Sequence, residues 1–211
     1  MDNVFNPYVD KCEIHDLADG PGRRKRNLKN ALRSAVENNT DSVWIARDLG
    51  YRGGRRTGLA LTDEAHLTNF SALHKNIRIQ KATKGPVVAE RTATVIWNML
   101  GRISDPVFLW NVFPFHPHLP NDPMSNRCHT SKELKACDHI FHEMLEIVRP
   151  SKVIAIGSNA HTSLEKKGID GLCVRHPSYG GQNIFIDQIE RAYGIEKPTP
   201  EEFDLSMQHA L

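Results

Sequence analysis

Four short apolar segments alternate with amphipathic segments along most of this chain, and this alternation constrains the fold more than any other feature. The apolar segments are residues 42–46, 107–112, 152–157 and 171–174. Near-continuous apolar runs of this length are typical of strands in a parallel sheet, because crossover helices cover both of its faces. We therefore predict an α/β fold with three layers, α/β/α, around a central, mostly parallel four-stranded sheet.

The amphipathic segments predict the helices, because their apolar residues recur at helical spacing. These helices are residues 24–38, 88–101, 131–148, 158–168 and 183–193. The loop of residues 47–64 contains four glycines, which argue against regular structure there. The length of 211 residues fits one domain, 1–211, with a core of about 24–193 and a C-terminal tail of 194–211.

Apolar-stretch length, the N-terminal sequence and cysteine spacing exclude several classes of protein. No apolar stretch reaches the roughly 18 residues that span a membrane, and the N-terminus MDNVFNPYVD lacks a signal-peptide pattern. Cys12, Cys128, Cys137 and Cys173 form no CxxC pair. This usage favours a reducing cytoplasm over a disulfide framework or a four-cysteine iron–sulfur cluster.

Positive charge is concentrated in two groups, although the net charge is only +2. We interpret the first group, residues 23–26, as a solvated helix start. The second group, Arg52, Arg55 and Arg56, lies among glycines that let the backbone approach a phosphate, and it favours binding to a phosphate backbone.

Histidines and cysteines crowd into residues 116–142. They are His116, His118, Cys128, His129, Cys137, His139 and His142. No pair has the CxxC or HExxH spacing typical of zinc sites, so we expect no metal. His116 and His118, which lie in a proline-rich loop near Asn111, are better explained as pocket or nucleic-acid contacts.

Three polar residues stand at the ends of predicted strands. Asp48 follows the first strand, Asn111 lies near the end of the second, and His176 follows the fourth. Ligands of open α/β sheets bind beyond the carboxyl ends of the strands, so an acid, a carboxamide and an imidazole would meet in one crevice. The alternatives are structural: Asp48 as a turn cap or as a partner of Arg52, Asn111 as a partner of backbone groups, and His176 as an ordinary loop residue.

Four segments in order resemble the motifs of the uracil-DNA glycosylase superfamily. ARDLGYRGGRRTGLALTDE corresponds to GQDPYH or GEAPG followed by GLAFS, and VFLWNVFPFHP corresponds to LLLNxV. VIAIGSNAHTSLEKKG corresponds to VxxxGxxA with its helix, and RHPS corresponds to HPSP. The resemblance runs from about Val43 to Tyr193 and implies a uracil-DNA glycosylase-like fold.

The resemblance also implies roles for individual residues. Asp48 matches the catalytic aspartate, His176 the histidine that donates to a uracil carbonyl, and Asn111 the asparagine that reads the uracil edge. The implied uracil-binding positions further include Leu49, Gly50, Leu61 and Phe113. The implied DNA-binding positions are Arg52, Arg55, Arg56, Ser158 with its preceding Gly157, Ser178, Tyr179 and Gln182.

The chain departs from these motifs at several positions. Ala46 and Leu49 replace the glycine and proline of the first motif. Gly50 replaces the tyrosine that blocks the thymine methyl, so discrimination against thymine would depend on Tyr51 or another side chain. Leu61 replaces the stacking phenylalanine, for which Phe113 is the substitute. Tyr179 or Gln182 would replace the leucine that wedges into the duplex, and the iron–sulfur cysteines are missing, which indicates an atypical member.

The chemistry of the C1′–N bond explains such a set of residues. Cleavage builds positive charge on the sugar and negative charge on the base, so a carboxylate and a hydrogen-bond donor each stabilise one of them. We expect monofunctional, cofactor-free removal of a flipped uracil from single- or double-stranded DNA, by a monomeric cytoplasmic protein that is associated with the nucleoid if bacterial. The alternatives are a glycosylase for another damaged base or a nucleoside, and a non-catalytic DNA-binding relative.

Overall fold

The computed structural model describes residues 1–196 and contains helices and two sheets. The strands are β1 (Val4–Phe5), β2 (Ser42–Asp48), β3 (Val107–Phe113), β4 (His116–Pro117), β5 (Lys152–Ile156) and β6 (Leu172–Val174). The helices are α1 (Gly20–Glu37), α2 (Gly54–Thr57), α3 (Leu67–Leu73), α4 (Arg91–Leu100), α5 (Ser131–Ala136), α6 (Asp138–Val148), α7 (Ser158–Glu165) and α8 (Gln182–Tyr193), with a 3-10 turn at Glu64–His66.

The central sheet has four parallel strands in the order β3-β2-β5-β6. Ala46 on β2 is level with Asn111 on β3, and Asp48 is level with Phe113. The apolar residues of β2 and β3 are buried throughout, as expected for central strands covered on both faces. The predicted α/β class and the four-stranded parallel sheet are therefore confirmed.

Helices flank this sheet. α1 packs against α6 and β3, while α4 packs against α8. Trp44 on β2 meets the edge of Phe185 on α8 at a centroid distance of 5.9 Å, and its indole nitrogen donates to the Tyr193 hydroxyl. These contacts bury one face of β2 under α8, and the polar ends of the strands remain at the carboxyl edge.

The first basic group is solvated only in part, because Lys25 and Arg26 are exposed whereas Arg24 is fully buried. α1 begins at Gly20 rather than at residue 24, with a proline in its first turn, where no amide donor is needed. The Arg24 guanidinium lies 2.8 Å from the Asp16 carboxylate and also donates to the backbone oxygens of Pro7 and Asp10. The N-terminal segment, which the predicted core omitted, is thus anchored to α1.

Two further segments differ from expectation. The predicted helix 131–148 is two helices, α5 and α6, which meet at Cys137. The glycine-rich loop contains the short helix α2 and the 3-10 turn. Of the predicted tail, 194–211, the part beyond Glu196 lies outside the described residues. No helix within residues 1–196 has both the length and the apolar character that crossing a membrane requires.

Candidate active site

Asp48 closes β2 at the carboxyl edge of the sheet, and both of its carboxylate oxygens have partners. Oδ2 accepts a hydrogen bond from Nε of Arg47, and Oδ1 contacts Nδ1 of His129. The carboxylate is 6% exposed. A carboxylate only accepts, so Nδ1 of His129 carries the proton. Asp48 is therefore held by a neighbour and a distant histidine, and Arg52 is not its partner.

His129 is the functional candidate that sequence reasoning missed, since it was weighed only as a zinc ligand. It immediately precedes Thr130, whose side chain caps α5 in a capping box with Glu133. The His129 ring also lies 5.3 Å from the Phe113 ring. The sequence signal was the histidine directly before a T-x-x-E pattern, which places it on a rigid helix entrance.

Asn111 lies on β3, one strand away from Asp48. Asn111 pairs with Ala46 on the neighbouring strand, so these two side chains point to the same face of the sheet. Asp48 lies two residues after Ala46 and therefore points to that face as well. Asn111 is 2% exposed, and its Oδ1 atom is buried without a hydrogen-bond partner. Pairing with backbone groups, the structural alternative, is therefore wrong among the described residues. A buried acceptor without a partner is costly, so this oxygen is available to a water molecule or a ligand.

His176 has a defined tautomer. The backbone N–H of Ser178 donates to Nδ1 at 3.2 Å, and the Ser178 hydroxyl contacts the same nitrogen at 2.7 Å. Nδ1 is thus the acceptor, and Nε2 carries the proton. Burial, together with the charges of Arg47 and Arg175, lowers the pKa of His176 to about 4. At neutral pH the imidazole is uncharged with its Nε2–H available to donate.

The turn after β5 brings the His176 loop to the same edge. Gly157 has φ +90°, and a Cβ there would lie 3.2 Å from the His176 Cβ. Arg47 links the two predicted catalytic residues, since it binds Asp48 and its charge reaches His176. The arrangement therefore places Asn111, Asp48, Gly157 and His176 along the carboxyl ends of all four strands.

The predicted pocket residues after Asp48 differ in accessibility. Leu49 is buried against Gly54, where any Cβ would overlap the leucine side chain. Gly50 is half-buried, and Leu61 is half-buried with φ +54°. Phe113 is fully buried against Phe115 and His129, so its ring supports the site rather than facing it.

Two arginines that the sequence predicted to bind DNA are buried in the structure. Arg55 is 5% exposed, lies over the Phe5 ring at 3.8 Å and donates to His116. Arg56 is 7% exposed and lies 3.2 Å from the buried Glu64 carboxylate. Both guanidiniums have partners inside the protein, so they cannot reach a phosphate backbone.

The remaining predicted DNA-binding residues are accessible. Arg52 is exposed and stacks beside the Tyr51 ring. Tyr179 is 97% exposed at φ +51° on the loop after His176. Ser158 begins α7, Gln182 begins α8, and both are exposed, while Ser178 is half-buried. These residues lie beyond the carboxyl ends of β2, β5 and β6.

The histidine-rich region is dispersed. His116 is fully buried, accepts from Arg55 at Nδ1 and contacts the Ser125 carbonyl at Nε2, so it neither lines a pocket nor contacts a ligand. His118 is half-exposed and donates to the Leu119 carbonyl. Within residues 1–196, no three His, Cys, Asp or Glu side chains are grouped so as to hold a metal ion.

Comparison with known families gives one result. The family model described as "Uracil DNA glycosylase superfamily" matches residues 42–190. The match begins at the first residue of β2 and ends within α8, so it includes every residue of the strand-end site. No curated protein matches the chain.

Proposed function

Since the chain belongs to the uracil-DNA glycosylase superfamily, a superfamily of DNA glycosylases, we propose that it removes uracil from DNA. The reaction is hydrolysis of the C1′–N bond of a flipped nucleotide, which leaves an abasic site. The proposal assigns separate tasks to the base-reading Asn111, the charge-stabilising His176 and the pair of Asp48 and His129.

The observation that carries the choice of uracil is the unpartnered Asn111 oxygen. This buried acceptor matches the N3–H donor of uracil, and the amide N–H groups match the O4 carbonyl. Cytosine has no N3–H and carries a donor in place of O4, so both hydrogen bonds would be lost. A site built to pair a polar edge rejects an analogue that leaves it unpaired.

His176 acts as the donor to the departing base. Negative charge develops on the uracil O2 carbonyl as the C1′–N bond breaks, and the Nε2–H of a neutral imidazole stabilises it. The donor is preorganised, because Ser178 holds Nδ1 as an acceptor. No proton has to be moved onto the imidazole at neutral pH, because the pKa of His176 is about 4.

Asp48 and His129 serve the sugar side of the bond. The Asp48 carboxylate supplies negative charge opposite the cationic sugar. Because Nδ1 of His129 donates to Asp48, Nε2 of His129 is free to accept a proton from the attacking water. No hydrogen bond within residues 1–196 occupies that nitrogen, so a water molecule has an acceptor close to the carboxylate.

The exposed residues at the same edge form the proposed DNA surface: Arg52, Ser158, Ser178, Tyr179 and Gln182. All groups of the site come from one chain, so a monomer suffices for the reaction. The four cysteines are all free, which supports the expectation of a reducing cytoplasm, including the nucleoid in a bacterium.

The test is excision from labelled oligonucleotides that hold one uracil, as a single strand or opposite G or A, followed by alkali to nick abasic sites. We expect nicks from the wild-type protein and a loss of about 100-fold or more in Asp48→Asn and His176→Ala. His161→Ala, on the partly exposed face of α7, is the matched control and should keep full activity.

Free deoxyuridine and a salt series separate the alternatives. A DNA glycosylase should lose activity steeply with salt, because phosphate contacts release counterions, whereas a nucleoside hydrolase should not. Absence of nicks on every uracil substrate would reject the proposal. Binding without nicks, unchanged in Asp48→Asn, would identify a non-catalytic DNA-binding relative.

A further inference from the structure

Arg127 lies two residues before His129, and its guanidinium is used entirely within the protein. The side chain is 20% exposed. Its five N–H groups donate five hydrogen bonds, with lengths between 2.7 and 3.0 Å. A guanidinium has no further donor, so Arg127 joins segments of the protein instead of binding a ligand. The acceptors are both carboxylate oxygens of Glu133 and the backbone carbonyls of Asn3, His118 and Cys128.

The first of these contacts tie Arg127 to the amino-terminal part of the chain. The Asn3 carbonyl, directly before β1, accepts from Nη2 of Arg127 at 3.0 Å and from the backbone N–H of His118 at 2.9 Å. Nε of Arg127 donates to the His118 carbonyl at 2.8 Å. Because β1 pairs with β4, Arg127 is held at the end of this small sheet. Strand β1 lies outside the residues that match the family model.

The other contacts tie Arg127 to the entrance of α5. Both oxygens of Glu133 accept from the guanidinium, at 2.7 and 2.9 Å. The same carboxylate accepts from the backbone N–H of Thr130 at 2.6 Å, as part of the capping box. The hydrogen bonds from Arg127 lower the pKa of Glu133 to about 2, so this carboxylate stays charged at neutral pH. His129 therefore lies between two residues, Arg127 and Thr130, that share one anchor.

The position of His129 depends on these anchors. Residues 126–130 have no regular secondary structure, so no helix or sheet ladder holds their backbone. The His129 ring contacts the Asp48 carboxylate and lies 5.3 Å from the Phe113 ring. A displacement of about 1 Å at a reacting group costs up to about 100-fold in rate. A side chain that fixes the segment on both sides of His129 thus bears directly on the proposed reaction.

On the basis of the function proposed above, we propose that Arg127 is a positioning residue that holds His129 against Asp48, with Nε2 open to the attacking water. Arg127 acts through His129 and does not contact the base or the sugar. Lysine cannot replace it, because an ammonium carries a point charge without the planar fork that reaches both sides of the segment.

The test measures single-turnover uracil excision for Arg127→Lys in two backgrounds, the wild type and His129→Gln. In the wild-type background the substitution should lower the rate about tenfold or more, with the affinity for DNA unchanged. In the His129→Gln background it should change the rate less than about twofold, because the residue that Arg127 positions is already lost. A merely structural role would lower the rate by the same factor in both backgrounds.

Histidine ¹⁵N spectra at pH 8 give a second measurement that needs no activity. His129→Gln identifies the His129 signals by their loss. In the wild type these signals should report a proton on Nδ1, where Asp48 accepts it. In Arg127→Lys they should report a mixture of both tautomers, because the ring is no longer held on the carboxylate.

Arg102→Lys is the matched control, since Arg102 also pairs with a glutamate, Glu190, at 2.7 Å. It should keep the wild-type excision rate and the wild-type His129 signals. Urea unfolding of each variant verifies that the fold is intact. Equal rate losses in both backgrounds, or an unchanged tautomer in Arg127→Lys, would reject the role of Arg127 and keep the proposed function. Absence of excision by the wild type would reject the proposed function, and the spectra would still decide whether Arg127 positions His129.

Discussion

Nδ1 of His129 and Oδ1 of Asp48 are hydrogen-bonded across 81 residues of chain. The bond joins the end of β2 to the entrance of α5 and leaves Nε2 of His129 as the open acceptor. A carboxylate that orients an imidazole through Nδ1–H is a common arrangement for activating a hydroxyl or a water. The pair therefore acts as a unit in the proposed reaction.

Replacing His129 should lower the rate without weakening DNA binding. We expect His129→Gln to lower the single-turnover rate by about 100-fold or more, with KM changed less than kcat. Asp48→Asn combined with His129→Gln should cost little more than the worse single variant, because residues that act as a unit are not additive. His142→Gln, exposed on α6, is the control, and full additivity in the double variant would contradict a functional pair.

Replacing Asn111 should raise the stability of the protein and lower its activity. Asn111→Leu removes a buried amide whose oxygen has no partner, so we expect the free energy of unfolding to rise by about 1 kcal/mol. Uracil excision should fall at least about 100-fold, because the base edge loses both hydrogen bonds. Urea unfolding and single-turnover assays measure the two effects. A destabilised variant would show that the amide has a structural partner after all.

The arginines of the glycine-rich loop should behave differently from one another. Arg52→Ala should weaken DNA binding and reduce the slope of log K against log salt by about 1, because one phosphate contact is lost. Arg56→Ala should lower the free energy of unfolding by about 3 kcal/mol, since Glu64 is left buried without its closest cation. Equal effects of both changes on the salt slope would show that Arg56 contacts the DNA backbone.

His176 should act as a neutral donor across the physiological range. Because its pKa is lowered to about 4, the protonation state does not change between pH 8 and pH 5.5. The ratio of wild-type to His176→Gln single-turnover rates should therefore stay constant over that interval. A ratio that changes in step with an ionisation near pH 6.5 would show that the imidazole is charged in the active enzyme.

Buried His74 should make the protein less stable in acid. Its ring is fully buried against Phe70, has no hydrogen-bond partner among the described residues, and burial lowers its pKa from 6.5 to about 4. Between these values the unfolded chain binds a proton that the folded protein does not, so the free energy of unfolding falls as the pH drops from about 6.5 to 4.

Urea unfolding at pH 7 and pH 5 measures this loss, to which His74 should contribute roughly 1–2 kcal/mol. His74→Leu should show a smaller loss over the same interval. His116 and His176, whose pKa values are also lowered to about 4, would account for what remains. An unchanged pH dependence in His74→Leu would contradict the assignment.

The strands of the sheet could be predicted because their signal is local. Each is a short apolar run, and a strand that is buried on both faces has this sequence pattern whichever elements pack against it. The residues at the strand ends followed from the same reasoning, since parallel strands share a carboxyl edge. Order along the chain was thus enough to place Asp48, Asn111 and His176 at one edge.

The sequence by itself determined the α/β class, the four strands and the polar residues at their ends. Tertiary structure alone decided which histidine contacts Asp48 and that Arg24, Arg55 and Arg56 are buried. The physical reason is that a buried charge is stable only beside a partner, and the fold selects that partner whether it is 81 residues away, as His129 is from Asp48, or eight, as Asp16 is from Arg24. Residue type shows that a guanidinium needs an anion, but folding decides whether that anion is a phosphate or a buried carboxylate.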